Sequence, residues 1–259
     1  MCPSLLLLYN SKNTSMKSLL SLALLAFVAN TSSCSITLNT NEKKPQKTVD
    51  RTFNLRDFQN IKMESVANVR FTQGNTYKVT ATAFRPGIDT IYVKENTLYI
   101  TTRRNLKNNN SHCTIEVTAP SLKSLEQEGV GNFTCQALNT KDLDISLEGV
   151  GSASFGNVSC TSLEVDCEGV GSLSNSHFTV SGNASFDFSG VGSGTFSVKS
   201  NNCKLESSGV GSVTATVNCK SVVANCSGIG SIILKGNTNK LNKTNSSLGK
   251  INTKGLEVK

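Results

Sequence analysis

The chain has 259 residues and a formal charge of +8, with 37% apolar residues, 6% aromatics and no tryptophan. So few rings give no expectation of a core built around them, and the apolar share is low for a globular chain. The positive charge is not gathered into a Lys/Arg block, runs such as Arg103-Arg104 are short, and no aromatic platform accompanies them, so nothing points to nucleic acid as a partner.

Leu19 to Val28 is an apolar run of ten residues, too short to cross a bilayer as a helix, which takes about twenty. Lys17 precedes it and Ala29, Thr31, Ser32 and Ser33 follow it, the layout of a secretory signal peptide. Residues 1–33 are read as that signal, with Met16 as the natural start. Thr31-Ser32-Ser33-Cys34 resembles a bacterial lipobox, with Thr31 where Leu is usual. Cleavage before Cys34 and acylation of its thiol are expected, which would tether the protein to a membrane without spanning it. The alternative is plain secretion after cleavage near Ser33. Residues 34–48 are polar, contain Pro45 and three lysines, and read as a flexible stalk.

Residues 49–259 are expected to form one β-solenoid domain. Over 49–120 apolar residues recur at every second position: Val69 and Phe71; Tyr77, Val79 and Ala81; Ile91 and Val93; Leu98 and Ile100; Ile115 and Val117. Turn signals at Gln73-Gly74-Asn75, Arg85-Pro86-Gly87 and 107–111 separate them. This section should cap the first rung and continue the stack.

From 121 onward a Gly-Val-Gly mark recurs. Its glycines are Gly129 and Gly131, Gly149 and Gly151, Gly169 and Gly171, Gly190 and Gly192, Gly209 and Gly211, Gly228 and Gly230. The steps are 20, 20, 21, 19 and 19 residues, and a degenerate seventh copy falls at Ser247-Leu248-Gly249. Before each mark the apolar residues alternate: Leu143, Ile145 and Leu147; Leu163, Val165 and Cys167; Ala184, Phe186 and Phe188. Period two means a strand with one buried face. A fixed period of this length means stacked units, none of which can bury its apolar face alone. The expected fold is all-β: a right-handed parallel β-helix of about seven rungs of 19–21 residues, with the glycines at corners.

From about Asn60 to the C-terminus, about four fifths of its length, the chain resembles the "putative auto-transporter adhesin, head GIN domain" family of secreted bacterial proteins. The residues that carry this are Val66-Ala67-Asn68-Val69-Arg70-Phe71 with Gln73-Gly74, then Leu98-Tyr99-Ile100, Ala119-Pro120-Ser121-Leu122 and the six Gly-Val/Ile-Gly-Ser/Asn marks. The resemblance implies a β-helical fold, an exported or lipoprotein setting typical of Bacteroidota, and no catalytic residues.

Chemistry-bearing residues are few. The histidines are His112 and His177, neither beside a Ser/Asp pattern suggesting a triad. Apart from Cys2 and Cys34 there are seven cysteines, with no zinc-type spacing and no two in one column on adjacent rungs. They read as small buried hydrophobes. Acidic residues occupy outward positions of the strand before the mark: Glu128, Asp144, Glu148, Glu164, Asp166 and Glu168. Stacked one rung apart, they would make a face for a cation such as Ca²⁺ or for a partner, or simply a solvated surface. The expected function is a non-catalytic outer-membrane lipoprotein, on the periplasmic side or the cell surface. It would present a solenoid face to a glycan or an envelope protein, without cofactor or metal. The alternatives are a self-associating structural protein and a β-helical carbohydrate-active enzyme.

Overall fold

Alternating apolar and polar side chains produce strands throughout residues 47–102, 113–246 and 248–259, the parts described by the computed structural model. The signal peptide, Cys34, most of the stalk, the 107–111 turn and His112 lie outside them. The described residues contain no helix. The chain runs through β1 (Val49–Phe53), β2 (Asn60–Glu64), β3 (Ala67–Gln73), β4 (Lys78–Phe84), β5 (Asp89–Lys94), β6 (Thr97–Thr102) and β7 (Cys113–Ala119). The glycine-marked part follows as β8 (Ser124–Gln127), β9 (Val130–Asn139), β10 (Asp142–Leu147), β11 (Val150–Cys160), β12 (Ser162–Cys167) and β13 (Val170–Val180). It ends with β14 (Asn183–Phe188), β15 (Val191–Ser207), β16 (Ser212–Cys226), β17 (Ser231–Asn245) and β18 (Lys250–Val258).

Two parallel ladders flank the marked corner. Before the corner, β6, β2, β8, β10, β12 and β14 stack in that order, then the second halves of β15, β16 and β17. After it, β7, β3, β9, β11 and β13 stack, then the first halves of β15, β16 and β17, and finally β18. Spatial order therefore departs from chain order. The β2–β3 rung lies between β6–β7 on one side and β8–β9 on the other. Strand β4 is antiparallel to β7 and to β1, and β5 is antiparallel to β6. The opening section thus supplies two parallel rungs, built out of sequence, and three antiparallel strands at their edge, rather than a plain continuation of the stack.

Register explains the uneven period. Leu143 stacks on Leu163, Ile145 on Val165 and Leu147 on Cys167, one period of 20 apart. The rung that follows Gly169 carries two insertions. Its register against β15 shifts between Leu173 and Ser176, a bulge at which Asn175 adopts φ 47°. At the next corner Ser181-Gly182-Asn183 covers the distance that Thr161-Ser162 covers one rung earlier. The rung before has a gap in pairing at the same bulge and a two-residue corner. The rung after has neither extra residue, which gives steps of 20, 21 and 19. The buried Ser176 hydroxyl accepts the backbone N–H of Phe155 at 2.9 Å, so the bulge leaves that donor satisfied.

The core corrects the expectation drawn from the low aromatic count. Phe133, Phe155, Phe178, Phe186 and Phe196 form one chain of ring contacts with centroids 5.3, 6.2, 5.8 and 4.1 Å apart. Rings are few, but the stacking of rungs collects them at the centre.

The two ends are finished differently. At the first end, the turn joining β4 to β5 is closed by a buried ion pair: Arg85 donates from Nε and Nη2 to the two oxygens of Asp89, at 2.9 and 2.5 Å, and Thr102 also donates to Asp89. At the other end the pre-corner ladder stops at β17. There Leu241, Lys243 and Asn245 stand over the buried Val222, Ala224 and Cys226. Lys243 holds an inward register position with its side chain exposed, and a lysine on such an edge discourages another strand from docking.

Candidate functional site: the glycine-marked corner

Close stacking dictates the corner. A Cβ on Gly149 would stand 2.0 Å from the Gly129 carbonyl oxygen, and one on Gly151 1.8 Å from that of Gly131. No side chain fits there, and Gly151 also has φ 147°. With both glycines packed against the previous rung, the residue between them is left facing solvent. Val130, Val150, Val170, Val191, Val210, Ile229 and Leu248 form this column, from 44% exposed at Val130 to 89% at Leu248. Six rung steps of about 4.8 Å make it a ridge about 29 Å long. Single exposed apolar residues are ordinary, but a continuous row marks a contact surface.

A shallow trough of about 1140 Å³ runs beside the ridge. Glu128, Glu148 and Glu168 line its first half; Ser189, Ser208, Ser227 and Ser246 line the rest. Those three glutamates are the only charged side chains along it. The remaining predicted acids lie on the adjoining outer face of the pre-corner ladder. Asp144 stacks on Glu164, and Asp166 on Asp187. All six acids singled out from the sequence are therefore brought onto one side of the solenoid.

That side is electrostatically uncomfortable. Partial burial holds Asp144, Asp166 and Asp187 above the usual carboxylate range; Glu164 adds to the effect on the first two and Glu206 on the third. Lysines stand at its two borders. Lys62 of β2 reaches Glu126 and Glu128, each at 2.6 Å, and these contacts raise its own pKa. Lys204 pairs with Glu206 at 2.5 Å and, with Asn225, holds that carboxyl below its ordinary value. Among the described residues no three His, Cys, Asp or Glu side chains converge as a metal site would require.

The seven cysteines of the described residues are all buried and unbridged. Burial pushes Cys135 up to about 11 and Cys167 to about 12, so neither thiol is a nucleophile at neutral pH. His177 is exposed, with Nδ1 3.1 Å from the Gly156 carbonyl.

The family model described as "Putative auto-transporter adhesin, head GIN domain" matches residues 57–201 and 176–259. The chain belongs to this family. Among solved structures, the head GIN domain is similar to a "putative adhesin" of Bacteroides fragilis, with 25% identity and a TM-score of 0.68 over 80% of this chain and 97% of that one. A "putative adhesin" of Parabacteroides distasonis shares 18% identity and a TM-score of 0.63, over 83% and 98% of the two chains. One of Parabacteroides merdae shares 17% and 0.52, over 80% and 97%. The last two show the fold alone. No curated protein is significantly similar to the chain.

Two features of the site went unread in the sequence. The middle residue of each mark was treated as part of a glycine signature, although an apolar residue held between two glycines that have no room for side chains is itself a signal. The first corner was also missed. Glu64-Ser65-Val66-Ala67-Asn68 parallels Glu128-Gly129-Val130-Gly131-Asn132, with Ser and Ala in place of the glycines. Val66 pairs with Val130, and the Asn68 side chain accepts the Asn132 N–H at 3.0 Å.

Proposed function

We propose that this head GIN domain is a non-catalytic binding module, exported and tethered to the outer membrane through an acylated Cys34. Its marked corner receives an extended, positively charged segment of a partner protein. The carrying observation is the row of seven exposed aliphatic side chains beside a trough whose charged lining is Glu128, Glu148 and Glu168 alone. A row one residue wide is too narrow for a globular interface of standard size, about 800 Å² per partner. Its length suits a single extended chain, which advances about 3.3 Å per residue. Carboxylates along such a track attract cations and repel acids. Membership of an adhesin family and the export signal support the setting.

The test uses the soluble mature chain and two synthetic probes, (Lys-Val)₄ and (Glu-Val)₄, followed by fluorescence anisotropy. The lysine peptide should bind in a salt-dependent way and the glutamate peptide should not. Val150→Asp and Glu148→Lys should each weaken binding about tenfold with the melting temperature kept. Equal binding of both peptides, or no response to either substitution, would sink the reading.

A further inference from the structure

On the opposite side of the post-corner strands the chemistry reverses. Where β11, β13, β15, β16 and β17 approach the second corner, a cavity of about 480 Å³ opens, within the size range of small-ligand sites. Lys199 and Lys220 line it together with Asn201, Asn218, Asn237 and Asn239, and no acidic side chain does. Register stacks Lys199 on Asn218 and Asn218 on Asn237. Asn201 is fixed by donating to the Ser181 carbonyl at 2.6 Å. Beneath this polar rim the backbone is already satisfied: buried Ser200 and Thr238 donate to the carbonyls of Asn202 and Lys240, each at 3.0 Å. Asn201 is thus the rim amide that ties the corner, while the Lys199 and Lys220 side chains take no part in these bonds. Buried Cys160, Val180 and Cys219 supply carbon surface at its floor.

We propose that this second-corner cavity binds an anionic glycan, with Lys199 and Lys220 pairing with its carboxylate or sulfate groups and the asparagine amides bonding its hydroxyls. Two ammonium groups without a competing acid select for negative charge. Asparagine amides both donate and accept, as a hydroxyl-rich ligand requires. Nucleic acid is disfavoured because no aromatic side chain lines the cavity for base stacking. A lipid surface is disfavoured because, among the described residues, the exposed apolar row lies at the other corner.

The experiment titrates the soluble mature chain with three oligosaccharide probes by calorimetry: a polygalacturonate oligomer, a heparin-derived oligomer and a neutral dextran oligomer. At least one anionic probe should bind and the neutral one should not; which of the two binds assigns carboxylate or sulfate. Lys199→Gln and Lys220→Gln should each lower affinity about tenfold. Lys254→Gln, on the terminal strand away from the cavity, should change it by less than about twofold. Val150→Asp, at the other corner, should leave it unchanged, so this proposal and the peptide-binding one fail separately. Absence of binding to both anionic probes at about 1 mM would overturn the proposal. So would equal losses for Lys254→Gln and Lys199→Gln in variants of unchanged melting temperature.

Discussion

Val66 bridges to Val130 in parallel register, although a stretch of 64 residues separates them in the chain. Between them the chain completes β3, makes β4 to β7 on the far side of that rung, and rejoins it with β8. The rung that begins the solenoid in sequence is thus held from both sides.

Lys62 is the main polar tie across that junction. It sits in β2 and bonds Glu126 and Glu128, which arrive with β8 and its corner. Lys62→Met should cost about 1–2 kcal/mol, because it leaves two facing carboxylates unneutralised. Arg70→Met, which loses only an exposed contact of 4.0 Å to Glu116, should stay within about 0.5 kcal/mol. Urea denaturation measures both, and equal effects would show that the junction does not depend on this lysine.

Stack geometry makes a sharp statement about glycines. Gly151→Ala should destabilise by about 3 kcal/mol or more, since its Cβ would collide with the fixed Gly131 carbonyl. Gly87→Ala, at φ 81° with nothing within 4 Å, should cost only about 1 kcal/mol. Thermal melting of the two variants separates steric exclusion between rungs from backbone preference alone.

The acidic side should respond to pH in the sense opposite to ordinary acid denaturation. Asp166 is held above the usual carboxylate range by burial and by Glu164, Asp187, Asp144 and Glu168. It binds its proton more tightly folded than unfolded. Its contribution therefore falls as pH rises from the ordinary range through the raised folded value. At neutral pH Asp166→Asn should raise the melting temperature by about 1–3 °C. The gain should vanish in acid, where the wild-type side chain is already neutral. A lower melting temperature for the variant at neutral pH would instead mean that the charge has a bound partner.

Much of this was legible from the chain. Leu143, Ile145 and Leu147 announce their inward face by alternation, and the glycine marks announce corners, because both follow from local geometry repeated at a fixed step. Glu128, Glu148 and Glu168 were placed together by the same register. What stayed hidden was of three kinds. Ser65 and Ala67 stand where later corners have glycine, so the mark loses its glycines at the first corner of the array. The insertion of β2–β3 between β6–β7 and β8–β9 depends on pairing across that 64-residue stretch, which alternation within a strand does not encode. The second-corner cavity was hidden for a third reason. Its residues keep a fixed step of 19, Lys199, Asn218 and Asn237 in one column and Asn201, Lys220 and Asn239 in another, but a polar column at a corner has no alternation to announce that a cavity opens there.

Lys243 has a consequence for how long such a molecule can be. The marked rungs are nearly interchangeable; the exposed Lys243 stands on the last edge of the pre-corner ladder, and the antiparallel strands β1, β4 and β5 stand at the other end. Duplicating one rung, for example residues 149–168, would add one valine to the ridge and about 4.8 Å to its length without touching either terminus. The protein is in this sense a ruler: its reach can be reset by copying a short genetic segment, one graduation at a time.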